Sequence, residues 1–72
     1  MTRDEFLREM QDVLQTESVL SFSTILKELD DWDSLAIMGT MVFLQKTFGV
    51  ETTIEDYSRM TTIEDIAVKA GL

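Results

Sequence analysis

The sequence predicts an all-α fold: a small four-helix bundle with a long first loop and a short third helix. Three observations predict it. Apolar residues recur at helical spacing near both ends and through the middle of the chain. Cap-forming residues precede those segments, and glycines follow two of them. No segment alternates apolar and polar residues as a half-buried strand does, and there is no proline. The 72 residues suffice for one domain, residues 1–72, with a thin core.

The first helix is expected at about residues 3–15. Thr2 and Glu5 form a capping-box pair, and Phe6, Leu7, Met10, Val13 and Leu14 make one apolar stripe. Residues 16–32 are less regular. Ser18, Ser21, Ser23 and Thr24 favour turns and caps. Leu20, Phe22, Ile25, Leu26 and Leu29 read as anchors tying a long connection to the core, with a short helical turn near Thr24–Leu29. A connection of this length is uncommon and often functional.

The second helix is expected at Ser34–Phe48, opened by Asp33 or Ser34 as cap and closed by Gly49. Thr52 with Glu55 reads as a capping box for a short turn near Glu55–Ser58. Thr61 with Glu64 reads as another, opening a last helix that places Ile63, Ile66, Ala67 and Ala70 on one face and ends at Gly71.

The second helix carries more apolar surface than a one-sided core needs. Ile37, Met41, Leu44 and Phe48 form one stripe, the expected core face. Leu35, Met38 and Val42 form a second, with Gly39, Gln45 and Lys46 beside it. Two readings stand: a helix buried nearly all round, or an exposed docking strip whose methionine adapts to a partner. Gly39 lowers helix propensity by roughly 0.8–1.0 kcal/mol relative to Ala, which suggests close approach of a neighbour or partner.

Composition excludes much chemistry. Without cysteine there is no disulfide, thiol nucleophile or thiolate metal site, and without histidine no Ser-His-Asp machine. The chain is not expected to be an enzyme or to hold a metal. Calcium binding by Asp30, Asp31, Asp33 and Glu51 fails because these acids lack the twelve-residue loop spacing and its central glycine. Fourteen acidic residues against six basic ones give a net charge of −8, which argues against nucleic acid and anionic membrane as partners. The first residues carry Arg3, Asp4, Glu5, Arg8 and Glu9 with no apolar run, unlike a secretory signal, so the expectation is a soluble cytoplasmic monomer.

Ser34 stands out by position, at a helix start after a long connection in an acidic neighbourhood. Taken alone it reads as an ordinary capping serine. Its surroundings, Leu29-Asp30-Asp31-Trp32-Asp33-Ser34-Leu35, resemble the acyl carrier protein family, whose modification motif is Asp-Ser-Leu at the start of the second helix. Phe48-Gly49-Val50-Glu51 is similar to the family's end of that helix, and Met60 to Ile66 to its approach to the last one. The likeness is strong from Leu29 onward and a matter of pattern before it.

The resemblance implies a bundle of acyl-carrier type and a covalent 4′-phosphopantetheine arm on Ser34. A phosphopantetheinyl transferase would attach the arm from coenzyme A with magnesium, assisted by Asp33. The arm's thiol would carry an acyl or aminoacyl group as a thioester between loading and accepting enzymes. Partner docking would fall to Leu35, Met38, Val42 and Lys46. Ile37, Leu44 and Met60 are candidates for the lining of an acyl pocket, although apolar residues at helical spacing more often make plain core.

Two departures bear on the pathway. No acidic residue occurs between Asp33 and Glu51, where fatty-acid-synthesis carriers show several. Docking is therefore expected to be more apolar and less salt-dependent. Trp32 replaces the small or aliphatic residue common before the motif, and a Trp-Asp-Ser-Leu version is similar to carriers of specialised pathways rather than housekeeping fatty-acid synthesis. Trp32 either packs over the first loop or flanks the arm. The rival reading is an unmodified helical interaction module that docks through the Leu35/Met38/Val42 strip.

Overall fold

A computed structural model of residues 1–72 shows a strand-free helical domain. Its helices are α1 (Arg3–Leu14), α2 (Ser34–Phe48), α3 (Ile54–Ser58) and α4 (Ile63–Ala70), with one 3₁₀ turn at Leu26–Glu28. No helix is long and apolar enough to cross a membrane.

Local sequence sets most helix ends. Thr2 and Glu5 close a reciprocal box at the start of α1, with Glu5 N–H donating to Thr2 Oγ1 and Thr2 N–H to Glu5 Oε1. Asp33 caps α2, and Gly49 ends it in the left-handed region at φ 69°. Gly71 does the same for α4 at φ 94°.

The caps of α3 and α4 each fall one residue later than the sequence suggests. The Thr52 hydroxyl is taken by the Tyr57 phenol at 2.8 Å, so Thr53 and Asp56 form the box of α3 instead. At α4 the long loop intervenes. Ile63 N–H donates to the Thr24 carbonyl and Glu64 N–H to that of Phe22, around an isolated bridge between Ile25 and Thr62. Glu64 pairs with Arg3, and Asp65 accepts from the N–H groups of Thr61 and Thr62.

The same backbone bonds explain why the connection between α1 and α2 is ordered. Leu26 N–H donates to the Thr61 carbonyl, and Leu20 and Leu26 are buried. Phe22 and Leu29 pack half-buried against the core. Ile25 is not the expected anchor: it contributes its backbone to the bridge while its side chain is exposed.

All four helices share one core. Phe6, Met10 and Leu14 meet Ala36, Leu44, Tyr57, Ile63, Ile66, Ala67 and Ala70. Phe6 is ringed by Phe22, Phe43 and Phe48 at centroid distances of 6.3, 5.9 and 6.1 Å. The Arg3 guanidinium lies 4.0 Å from the Phe22 ring centroid, a cation–π contact over the loop.

The core face of α2 is rotated from the expected stripe. Ala36, Thr40 and Leu44 are buried, whereas Ile37, Met41, Phe43 and Phe48 flank them half-buried. Thr40 is tolerated inside because its hydroxyl donates to the Ala36 carbonyl at 2.8 Å. No close approach within the chain requires Gly39. A Cβ there would meet Val13 Cγ1 at 3.5 Å, ordinary van der Waals contact. Gly39→Ala is therefore expected to raise stability by about 0.5–1 kcal/mol. Urea unfolding checks this, and a destabilised variant would show that Val13 cannot accommodate the methyl group.

Three carboxylates at helix starts couple stability to acid. Backbone N–H bonds from Thr2, Thr53 and Thr61 hold Glu5, Asp56 and Asp65 below the usual carboxylate range. The fold favours their anions, so this contribution is complete above the unfolded pKa and lost as pH falls through the lowered folded values. Urea midpoints are expected to fall below about pH 4. The combined Glu5→Gln, Asp56→Asn, Asp65→Asn variant should show a flatter acid limb; an equally steep one would assign the loss to other groups.

Candidate functional site

The start of α2 is built from a short acidic approach. Trp32 N–H donates to the Leu29 carbonyl at 3.1 Å, turning the chain into Asp33. Asp33 is extended, and its Oδ1 accepts from Ala36 N–H at 2.9 Å while its carbonyl accepts from Ile37 N–H. Its other carboxylate oxygen accepts no bond from the protein.

This geometry separates the roles that the sequence left open. Asp33 is the cap, and Ser34 is the first helical residue. The Ser34 side chain is exposed, and its hydroxyl makes no hydrogen bond within the chain. The backbone N–H groups of Ser34 and Leu35 belong to the first turn, which has no intrahelical acceptors. A free hydroxyl thus sits at the positive end of a 15-residue helix. No side chain of this protein hydrogen-bonds to that hydroxyl.

A groove of about 470 Å³ opens beside this point, between the end of α1 and the start of α2. Both neighbours of Ser34, Asp33 and Leu35, line it, and Asp30 and Asp31 add further carboxylates. Val13, Leu14 and Ala36 supply apolar wall. These acids do not converge: no three potential ligands in the chain come together to hold a metal ion.

The second apolar stripe of α2 is exposed. Leu35, Met38 and Val42 are 77%, 58% and 51% accessible, on the side of the helix opposite Ala36, Thr40 and Leu44. Lys46 is exposed in the last turn, on the flank of the same strip, and makes no ion pair. The strip therefore begins one residue after Ser34 and runs down the helix.

The three candidate pocket residues are not brought together around a space. Leu44 is fully buried in the core, and Ile37 and Met60 pack half-buried against it. None of the three surface grooves of the molecule includes Ile37, Leu44 or Met60.

Trp32 packs half-buried against the core. Its ring lies against Tyr57 of α3, centroids 6.2 Å apart and tilted by 52°. Tyr57 is 2% exposed, and burial pushes its phenol up, so the ring stays neutral as it bonds Thr52. The sequence did not mark Tyr57 as part of this region; the signal available was one tyrosine in a short helix whose preceding threonine offers a hydroxyl partner.

Comparison with protein-family models, with curated proteins and with solved structures yields no match to this chain.

Proposed function

We propose that this chain is a carrier protein that presents an acyl or aminoacyl group on a 4′-phosphopantetheine arm joined to Ser34. One observation carries the reading. Ser34 stands in an Asp-Ser-Leu motif at the first position of α2, yet Asp33 does the capping and the serine hydroxyl is exposed and unbonded. An ordinary capping serine would spend its oxygen on the backbone.

The residues present fit the arm. Its phosphodiester would lie at a helix start whose free N–H groups and dipole favour an anion. When bound, the arm supplies the thiol that a cysteine-free chain lacks. Ser34 supplies the oxygen nucleophile, and activation falls to a transferase, because no side chain of this protein hydrogen-bonds to the hydroxyl. Asp33 keeps one carboxylate oxygen free, at a place where a transferase-bound magnesium can be met. The long first loop, the second helix led by serine and the short third helix make up an acyl-carrier arrangement in this reading.

Partner enzymes would dock on the exposed Leu35/Met38/Val42 strip, with Lys46 at its far end. With no acidic residue inside α2, that contact is expected to weaken little with salt. Together with the missing acids, Trp32 supports a specialised pathway rather than housekeeping fatty-acid synthesis.

The test is the intact mass of the chain after incubation with coenzyme A, magnesium and a broad-specificity phosphopantetheinyl transferase. A gain of one phosphopantetheine, mapped to Ser34, is expected. No gain with several transferases would favour the second reading, an unmodified interaction module. The exposed strip is the observation behind that reading, and Met38→Glu would then abolish its function.

A further inference from the structure

The carrier reading leaves open where the cargo rests, and the interior beneath Ser34 bears on that. The inward side of α2 after Ser34 presents Ala36, Thr40 and Leu44, all buried. Thr40 spends its hydroxyl on the backbone, and no buried side-chain polar atom lacks a partner. Protein interiors packed in this way hold few voids larger than a water molecule. The three grooves of the molecule are surface features, none of them lined by Ile37, Leu44, Tyr57 or Met60.

Trp32 and Tyr57 sit where the segment leading into Ser34 meets α3. Trp32 lies two residues before Ser34 and packs on the core from outside, with Tyr57 behind it. Tyr57 is itself fixed by burial and by its 2.8 Å bond to Thr52, just after α2. Moving either ring aside breaks the aromatic contact, and moving Tyr57 also breaks that hydrogen bond. The pair thus joins the approach to Ser34, the end of the α2–α3 turn and α3 into one closed corner.

Resting on the carrier reading, we infer that the Trp32–Tyr57 pair is a plug that keeps an apolar cargo chain out of the bundle. The cargo class is then a short or polar acyl or aminoacyl group that stays outside and is offered directly to partner enzymes. Trp32 is the specificity-determining residue, acting by occupying the space that a longer chain would need. Long alkyl thioesters would find no burial inside the bundle, only the open groove between α1 and α2 beside Ser34.

The experiment loads the full chain enzymatically from acetyl-, hexanoyl- and octanoyl-coenzyme A, confirms each product by intact mass, and compares melting temperatures. The three forms of the native chain are expected to melt together. In Trp32→Ala the octanoyl form should melt above the acetyl form by roughly 4 °C or more, as the chain fills the vacated space. Trp32→Leu, which keeps an apolar side chain at the site, gives the same comparison if the alanine variant does not fold. A native chain whose octanoyl form melts several degrees higher, with shifted Leu44 and Ile37 methyl resonances, would overturn the plug. Equal melting of all forms in both Trp32 variants would overturn the role of Trp32. A chain that takes no arm at all would overturn the carrier reading and the plug with it, an outcome the mass measurement separates from the other two.

Discussion

Ser34→Ala is expected to abolish the gain of phosphopantetheine while leaving the fold intact. The native serine donates to nothing in the chain and is exposed, so the methyl group removes no internal bond. Alanine is also a better helix former than serine. Stability should therefore change by no more than about 0.5 kcal/mol. Asp33→Ala makes the contrast. It removes the acceptor of the Ala36 N–H bond and should cost about 1 kcal/mol through loss of the cap. The two neighbouring variants thus separate chemistry from structure: one loses modification with unchanged urea midpoints, the other loses stability as well. Modification persisting in Ser34→Ala would place the attachment elsewhere and remove the main support for the carrier reading.

What the sequence could disclose depended on whether a feature was local. Caps that use only their own neighbours, Thr2 with Glu5, Gly49 and Gly71, were legible, and so were the bounds of α2 at Ser34 and Phe48, while its cap was narrowed only to Asp33 or Ser34. The caps of α3 and α4 were displaced by partners distant in sequence or outside the motif. Thr52 was claimed by Tyr57, and the N–H groups of Ile63 and Glu64 by the loop carbonyls of Thr24 and Phe22. No reading of a four-residue motif contains those competitors.

The site shows the same division. Periodicity separated the Leu35/Met38/Val42 stripe from the rest of α2, because a helix fixes which residues share a face. Whether that face was covered depended on the position of α1 and α3, and the accessibilities answer it. Thr40 was passed over because its hydroxyl reads as polar, although a bond to the carbonyl four residues back makes it a core residue. The direction of Trp32 was also out of reach. A tryptophan in a loop needs an apolar surface, and only the folded chain shows that Tyr57 provides it.

Phe6→Ala is expected to be the most damaging single substitution away from the site. Phe6 is fully buried, and its ring contacts those of Phe22 in the long loop and Phe43 and Phe48 in α2. Truncating a buried phenylalanine costs about 3–5 kcal/mol through lost transfer energy and the cavity left behind. A domain of 72 residues has about 4–11 kcal/mol in total. The variant should therefore be marginal or unfolded at 37 °C, with near-UV circular dichroism lost and the urea midpoint driven toward zero. Collapse around the cavity is resisted from three sides. Phe22 is held by the Arg3 guanidinium and by the loop bonds to α4, while Phe43 and Phe48 brace each other edge-on at 5.8 Å. The same loop leads to Asp33 and Ser34, so the variant should also be modified poorly in proportion to its unfolded fraction. A loss below about 1.5 kcal/mol would mean that the ring cluster can close over the missing side chain, and that the long loop is fixed mainly by its backbone bonds to α4.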